Sequence, residues 1–322
     1  MELTVLSIAE RIPTEADAYK FLEELRWGSG EPTCPHCGCI DDHYFLNAKN
    51  GVSRKTTRGA MSQRRVWECC ACRKQFSVLT GTMMHGTKIP LRTWVFVIFE
   101  LCSSKNGVAA REIERKYHLT PKTSWYLLHR IREAMKPGQS LARMTGRVVA
   151  DETWIGGVPA NRHGHVARRP GQTDKTPVMS LVSRETGEVR SRVVTDVGRK
   201  TLRTVLKANT VPGETHLQTD SAPPYRVIGH AFAGHTFVNH LAGEYVRDGA
   251  GTNQAENYFS QLKRSIDGTH HHVSREHLDR YLAEFDFRHS TNKVSDTIRV
   301  ETLMGQVAGG RLMYSDSSRG AL

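Results

Sequence analysis

The chain has 322 residues, 38% of them hydrophobic, and a formal charge of +12 with a pI near 9.5. That length supports two or three folding units with a buried core, and the positive balance favours a polyanionic partner over a neutral or cationic one. No apolar run approaches the ~18 residues of a membrane span, and the N-terminus lacks the basic-then-apolar layout of a signal peptide. A cytoplasmic protein with no membrane partner is expected.

The first periodic stretch covers residues 14–27, where Ala16, Tyr19, Phe21, Leu22 and Leu25 recur at helical spacing behind a Thr14 cap with Asp17 three residues on. This helix would brace the cysteine-rich region next to it and defines an N-terminal segment, 1–30. Beyond it come Cys34-Pro-His-Cys37-Gly and Cys69-Cys-Ala-Cys72. Seven cysteines leave one unpaired in any disulfide scheme, and in a reducing compartment two Cys-x-x-Cys pairs argue for metal. Two such knuckles can place four thiolates at the corners of a tetrahedron, as structural zinc prefers. Cys34, Cys37, Cys69 and Cys72 are the expected ligands of one Zn2+ in a ribbon over 31–90. Cys70 competes with Cys69 for that role, His36 and Cys39 are spare candidates, and Cys102 reads as an inert core thiol. Residues 54–74 carry Arg54, Lys55, Arg58, Arg64, Arg65, Arg73 and Lys74 against one acid, Glu68. Such a run can release phosphate counterions or simply be a solvated hairpin. Trp67 and Phe76 are expected to pack on the metal-bound core.

Helices are predicted over 91–102, 107–116 and 122–135, the last two joined by a tight turn at His118-Leu-Thr-Pro121. The third bears Lys122, Thr123, Ser124, Trp125, His129, Arg130 and Arg132. That arrangement fits a helix-turn-helix DNA-binding domain over 91–138, or an ordinary three-helix packing unit. After the linker Lys136-Pro-Gly-Gln-Ser140 the rhythm changes to short strands at 147–151, 178–183, 189–195, 215–219 and 235–240, with a helix at 201–207 and a hairpin turn at Arg184-Glu-Thr-Gly187. Three strands, then strands and helices in alternation, is the order of an RNase H-like mixed sheet flanked by helices, an α/β fold expected over 145–295 with a tail at 296–322. Between the first two strands, residues 161–175 carry Arg162, His163, His165, Arg168, Arg169 and Lys175 with almost no apolar residue. This reads as a loop that orders on DNA or as a plain disordered loop.

Two aspartates, Asp151 and Asp220, each close a strand-like run, and the helix predicted from Gly251 to Ser265 places Glu256, Phe259, Ser260 and Lys263 on one side. Three carboxylates on two strand ends and a helix suit a pair of magnesium ions, because hard divalent cations take oxygen ligands and two of them can clamp an in-line phosphoryl transfer. Read blandly, the aspartates cap strands and Glu256 with Lys263 is a solvated pair. Glu152 alternates to the opposite face and is not expected as a ligand. Trp154 either packs under the first aspartate or contacts a base. His270, His271 and His272 are expected in a turn near the DNA backbone, and a helix over 275–289 reads as core.

Taken together these motifs resemble the DDE transposases of bacterial insertion sequences, in the group with an N-terminal zinc ribbon. The likeness covers nearly the whole chain. It rests on the two cysteine knuckles, Phe76-Ser-Val-Leu-Thr-Gly-Thr82 with Lys88-Ile-Pro-Leu91, Thr123-Ser-Trp-Tyr-Leu-Leu-His-Arg-Ile-Arg132, Asp151-Glu-Thr-Trp-Ile-Gly-Gly157, Thr219-Asp220, Thr252-Asn253 with Glu256, Leu262-Lys263-Arg264, and Gly268-Thr-His-His-His-Val-Ser274. The resemblance implies an enzyme that binds the terminal inverted repeats of its own element, cleaves them and joins the freed 3′ ends to target DNA. Asp151, Asp220 and Glu256 would match its acidic triad, holding two Mg2+ (or Mn2+) ions per site, with Lys263 on DNA phosphate. Some members are described with asparagine at the third position, so Asn253, one turn earlier, stays an alternative to Glu256. DNA contacts are expected from Arg64, Arg65, Arg73, Lys74, Lys122, Thr123, Ser124, Arg130, Arg162, Arg168, Arg169, Lys263 and Arg264. A homodimer on DNA and a bacterial, nucleoid-associated location are implied by the same likeness. The rival classes are a domesticated DNA-binding protein without catalysis and an RNase H-like nuclease without strand transfer.

Overall fold

The computed structural model describes residues 2–28, 31–40, 42–46, 64–136, 142–156, 175–239, 251–307 and 312. Contacts divide the chain into two compact units, one of residues 1–104, 110–135 and 294–317, the other of 105–109, 136–293 and 318–322.

In the first unit, α1 (Val5–Arg11) begins at a reciprocal cap between Thr4 and Ser7, and α2 (Glu15–Trp27) begins where the Thr14 hydroxyl accepts from Asp17 N–H. Side-chain caps satisfy donors that the first helical turn cannot, so the predicted helix starts one residue late, after its cap. Three short antiparallel strands come next, β1 (His43–Phe45), β2 (Trp67–Cys69) and β3 (Gln75–Phe76). The apolar α3 (Leu91–Ser103) buries Leu91, Trp94, Val95, Ile98 and Leu101. Helix α4 (Ala110–Tyr117) and α5 (Pro121–Ala134) flank a short turn, with Thr120 capping α5 and Pro121 at its first position, where proline's missing N–H costs nothing. The stretch read as a tail contains a further helix, which takes the label α10 (Asp296–Gln306) and packs on α2 and α3 through a face that buries Val300, Leu303 and Met304.

The second unit holds a five-stranded mixed sheet in the order β6-β5-β4-β7-β8, formed by β4 (Met144–Ile155), β5 (Thr176–Ser183), β6 (Val189–Val193), β7 (Thr210–Asp220) and β8 (Gly234–Val238). Strands β4, β5 and β6 pair antiparallel, while β7 pairs parallel with both β4 and β8. This is the expected RNase H-like sheet. Side chains alternate across a strand, and the two faces bury different helices. Val149, Val178 and Val182 pack under α8 (Asn253–Ser265) and α9 (Arg275–Ser290), while Val148, Ala150, Met179, Leu181 and Leu217 pack under α6 (Arg199–Asn209) and α7 (Pro223–Gly229). The hairpin between β5 and β6 turns at Gly187, whose φ of 74° lies in the left-handed region that glycine enters at no steric cost. Helix α7 was not expected, and β4 runs four residues past Asp151. Among the described residues no helix is long and apolar enough to cross a membrane.

Candidate active site and metal centre

The cysteines of the two knuckles converge. Cys34 Sγ lies 3.7 Å from Cys72 Sγ, Cys37 Sγ lies 3.6 Å from Cys69 Sγ, and all four sulfurs fall within 4.8 Å of one another. Four thiolates at ~2.3 Å from one tetrahedral zinc stand about 3.8 Å apart, so the cluster has the dimensions of a structural zinc site. Each knuckle turns on a left-handed residue, Gly38 (φ 77°) in the first and Arg73 (φ 58°) in the second, whose N–H groups donate back to Cys34 and Cys69 carbonyls. Burial opposes the Cys69 thiolate, but N–H groups of Cys72 and Ala71 and neighbouring thiols outweigh it, so its pKa falls. Cys70 stands outside the four-sulfur group, and its thiol is hydrogen-bonded to the Asp42 carboxylate, which pushes its pKa up. Cys39 forms a second, three-residue group with His43 and Cys69, also within 4.8 Å of one another, and Cys102 is buried in α3. Trp67 and Phe76 pack on this cluster, as expected.

The basic residues of the first unit divide by exposure. Arg73, Lys74 and Lys122 are exposed, and Thr123 is half-buried with its hydroxyl 2.8 Å from that of Thr120. Arg64 is exposed, while Arg65 pairs with Glu23 at 2.7 Å and lies over the Phe45 ring. Ser124 and Arg130 depart from the expectation that they face DNA. Ser124 is fully buried and donates to the Thr120 carbonyl, while Arg130 is 6% exposed, donates to the His85 carbonyl at 2.8 Å and lies over the Trp94 and Tyr126 rings. Both lie among Leu127, Leu128 and Ile131 on the buried side of α5, so their polar groups serve the unit's interior. Arg162, Arg168 and Arg169, like Arg54, Lys55 and Arg58, lie outside the described residues.

In the second unit the acids come from three elements. The parallel register of β4 on β7 ends at Val149 opposite Gln218. Carried two residues on, it sets Asp151 beside Asp220 on neighbouring strands ~4.8 Å apart. Asp151 is therefore interior to β4, where it pairs with Ser180 of β5, but lies just past the end of the parallel ladder. Both aspartates share the parity of Val149 and Gln218, so they point to the face that α8 covers. On α8, Ala255, Tyr258, Phe259 and Leu262 are buried while Asn253, Glu256, Ser260 and Lys263 are exposed. Phe259, expected beside Glu256, instead turns into the core.

The electrostatics join these groups. The Asp151 carboxyl is pushed up to about 7, first by burial, against the Glu152 N–H bond and the Lys263 charge, with Asp220 and Glu256 adding to the rise. Each acid also has a local partner: Asp151 accepts from Glu152 N–H at 2.8 Å, Asp220 from Ala222 N–H at 3.0 Å, and Glu256 from the Thr252 hydroxyl at 2.9 Å. The three are separate arms rather than a closed cage, since among the described residues only the cysteine groups have ligand atoms all within 4.8 Å of one another.

Two features around the acids escaped the sequence. Glu152 points to the other face, as expected, and there accepts from the hydroxyl of the fully buried Tyr225 on α7, with its own carboxyl raised by burial to about 7. Asp286 of α9 is buried and accepts from Ser191 N–H (2.6 Å), the Ser191 hydroxyl (2.6 Å) and the Tyr258 hydroxyl (2.5 Å). It thereby ties α8 and α9 to β6. Where the ends of β4 and α8 meet, a cavity of ≈220 Å³ is lined by Trp154, Lys175, Lys263, Asp267, His271 and His272 among others, and Trp154 is 42% exposed in its wall.

A cysteine-stapled ribbon and an RNase H-like sheet that brings acids to one end are the build of a nucleic-acid-processing protein. Residues 13–75 match the transposase zinc-ribbon domain and residues 143–290 the ISXO2-like transposase domain, and the chain belongs to the insertion-sequence transposases that combine the two. It is 24% identical over 287 residues, 85% of its own length and 90% of the other's, to a Halobacterium salinarum protein described as an uncharacterized protein in transposable element ISH50. Among solved structures it is similar to a chain of the simian T-cell lymphotropic virus intasome in complex with PP2A regulatory subunit B56 gamma, at 14% identity and a TM-score of 0.28. That match covers 57% of this chain and 66% of the other, just under two thirds.

Proposed function

We propose that this protein is a DNA transposase that binds the terminal inverted repeats of its element, cleaves the DNA ends with two divalent metal ions and transfers the 3′ ends to target DNA. The observation that carries this reading is the electrostatic coupling of Asp151 to Asp220, Glu256 and Lys263 across two parallel strands and the covering helix. The donor set fits hard ions: all oxygen, few in number, on rigid elements. Asp151, Asp220 and Glu256 would hold Mg2+ or Mn2+, with Asn253 one turn away as the alternative third group. When bound, the pair supplies an acidified water or an aligned 3′-hydroxyl and stabilises the leaving oxygen.

The chain's own part is to ionise and position. Asp151, whose carboxyl burial pushes up to about 7, would bind a cation as the carboxylate, Glu256 is oriented by the Thr252 hydroxyl, and Lys263, two turns along α8, meets the phosphate. Arg73, Lys74, Lys122, Thr123 and Arg264 would track the DNA backbone as two copies of the chain hold two ends, and one Zn2+ would staple the ribbon. Incubation of labelled candidate repeat ends with magnesium and a plasmid target tests this, with wild type compared with Asp220→Ala. Cleavage and joining by wild type alone is expected. Equal cleavage by both removes Asp220 from the site, and cleavage by neither leaves a DNA-binding protein without catalysis.

A further inference from the structure

We infer that the outer face of α6 is a second DNA-binding surface that takes the phosphate backbone of the target duplex, along a flank away from the bond exchanged at the acids. This inference rests on the transposase reading above and adds where a second duplex is held. Arg199, Lys200, Arg203 and Lys207, with Thr204, line a cavity of ≈420 Å³ along this helix. All four cations are exposed, and none has an acid within 4 Å among the described residues.

Three observations separate this face from an ordinary solvated one. Several other basic side chains here are matched, as Lys116 is with Glu112 and Glu100, Arg111 with Glu114, and Arg288 with Glu284. No acid stands anywhere from Val197 to Gly213, and the acid just before, Asp196, is engaged with Gly198 N–H and the Thr195 and Thr201 hydroxyls. Arg199 and Lys200 also occupy the first turn of the helix, where the dipole disfavours cations. Folding thus gains nothing from this charge, whereas a polyanion would.

Position decides which duplex. Leu202 and Leu206 fasten α6 to the face made by Val148, Ala150 and Met179, whereas Asp151 and Asp220 share the parity of Val149 and point to the α8 face. Cations on the far side of α6 are turned away from the acids, so a duplex lying across the acids leaves them free for another. Joining requires two DNAs on one protein: the freed 3′-hydroxyl of one attacks a phosphodiester of the other at the acids and displaces its 3′-oxygen, and the charge, concavity and placement of α6 suit a flank of that target duplex away from the bond exchanged.

The test uses the full-length protein with Arg199, Lys200, Arg203 and Lys207 all changed to Gln, which keeps helix propensity, and a charge-conserving variant in which each Arg becomes Lys and each Lys becomes Arg. Binding to a duplex of unrelated sequence is measured from 50 to 200 mM salt. Each neutralised phosphate contributes about 0.9 to the log–log slope. Loss of four contacts should lower the slope by about 3.6 and remove on the order of 100-fold of the wild-type salt sensitivity over that range. The charge-conserving variant should match wild type, and an unchanged melting temperature shows that the Gln variant is folded. In the magnesium assay the Gln variant should cleave repeat ends at the wild-type rate and lose joining to plasmid. Equal salt slopes for wild type and the Gln variant, or full joining by the Gln variant, overturn the inference. A wild type that cleaves no end counts against the transposase reading instead, while the salt slope still decides whether α6 binds DNA.

Discussion

Replacing Asp151 by Asn in protein free of magnesium, with the ribbon's zinc in place, should stabilise the RNase H-like unit at pH 8 and change little at pH 4. Burial first, and then Asp220 and Glu256, push the Asp151 carboxyl up to about 7 against the opposing Glu152 N–H and Lys263. A native pKa above the unfolded value means the folded state keeps the proton, so stability is whole below about 4 and is lost as pH rises through about 7. A carboxyl moved from near 4 to about 7 corresponds to ~4 kcal/mol at full ionisation. Partial exposure and solvent screening reduce this to roughly 2 kcal/mol. In a unit of this size, 1 kcal/mol moves the melting temperature by about 2–4 °C, so the variant should melt roughly 4–8 °C above wild type at pH 8. Asn keeps an oxygen for the Glu152 N–H, so the bond at 2.8 Å is not lost. Thermal melts monitored by circular dichroism at pH 4, 6 and 8 check this. Excess magnesium should raise the wild-type value at pH 8 and leave the variant unmoved. A variant equally destabilised at every pH would refute the idea that ionised acids crowd this end of the sheet, and an equal magnesium shift in both proteins would show that Asp151 is not a ligand.

The same geometry sets three further outcomes. Asp286→Ala strips the acceptor from Ser191 N–H, the Ser191 hydroxyl and the Tyr258 hydroxyl, and should cost about 3–5 kcal/mol in urea unfolding; a cost below ~1 kcal/mol would mean that α8 is held by packing alone. Metal analysis should find one zinc per chain in wild type and in Cys70→Ser and none in Cys69→Ser, whereas zinc retained by Cys69→Ser and lost from Cys70→Ser would reassign the second knuckle. Tyr225→Phe removes the donor that favours the Glu152 carboxylate. Its stability deficit should therefore appear as pH rises through about 7 and vanish at pH 5, where Glu152 is protonated; a deficit constant with pH would point to packing instead.

How much of this was legible in the sequence depends on whether a residue's role is set by its neighbours along the chain. The two Cys-x-x-Cys knuckles were readable because spacing alone brings two thiolates together, and the sheet was readable because strands with both faces covered write nearly continuous apolar runs such as Val178 to Val182, broken only by Ser180. Asp151 was placed at a strand end because the apolar run stops there. The strand in fact continues, since β5 goes on pairing with β4 after β7 has ended, and no local pattern reports which of two partners stops first. Ser124 and Arg130 were read as DNA contacts because a short helix, a turn and a longer helix bearing cations and hydroxyls fit a helix-turn-helix. Arg130 can be buried because a carbonyl and two aromatic rings receive its guanidinium, and those come from His85, Trp94 and Tyr126.

The α6 groove marks the same boundary from the other side. The sequence predicts a helix only over 201–207, short of Arg199 and Lys200, and its charges carry no message until Leu202 and Leu206 show which side of the sheet the helix covers. The acids and the cations become a functional arrangement only through strand parity: one residue's shift in β4 would turn Asp151 toward α6 and Ala150 toward α8. The register of Val149 on Gln218 is therefore the single structural fact on which both proposed surfaces depend, and it is set by the buried valines and leucines of the two faces rather than by any residue proposed to touch DNA.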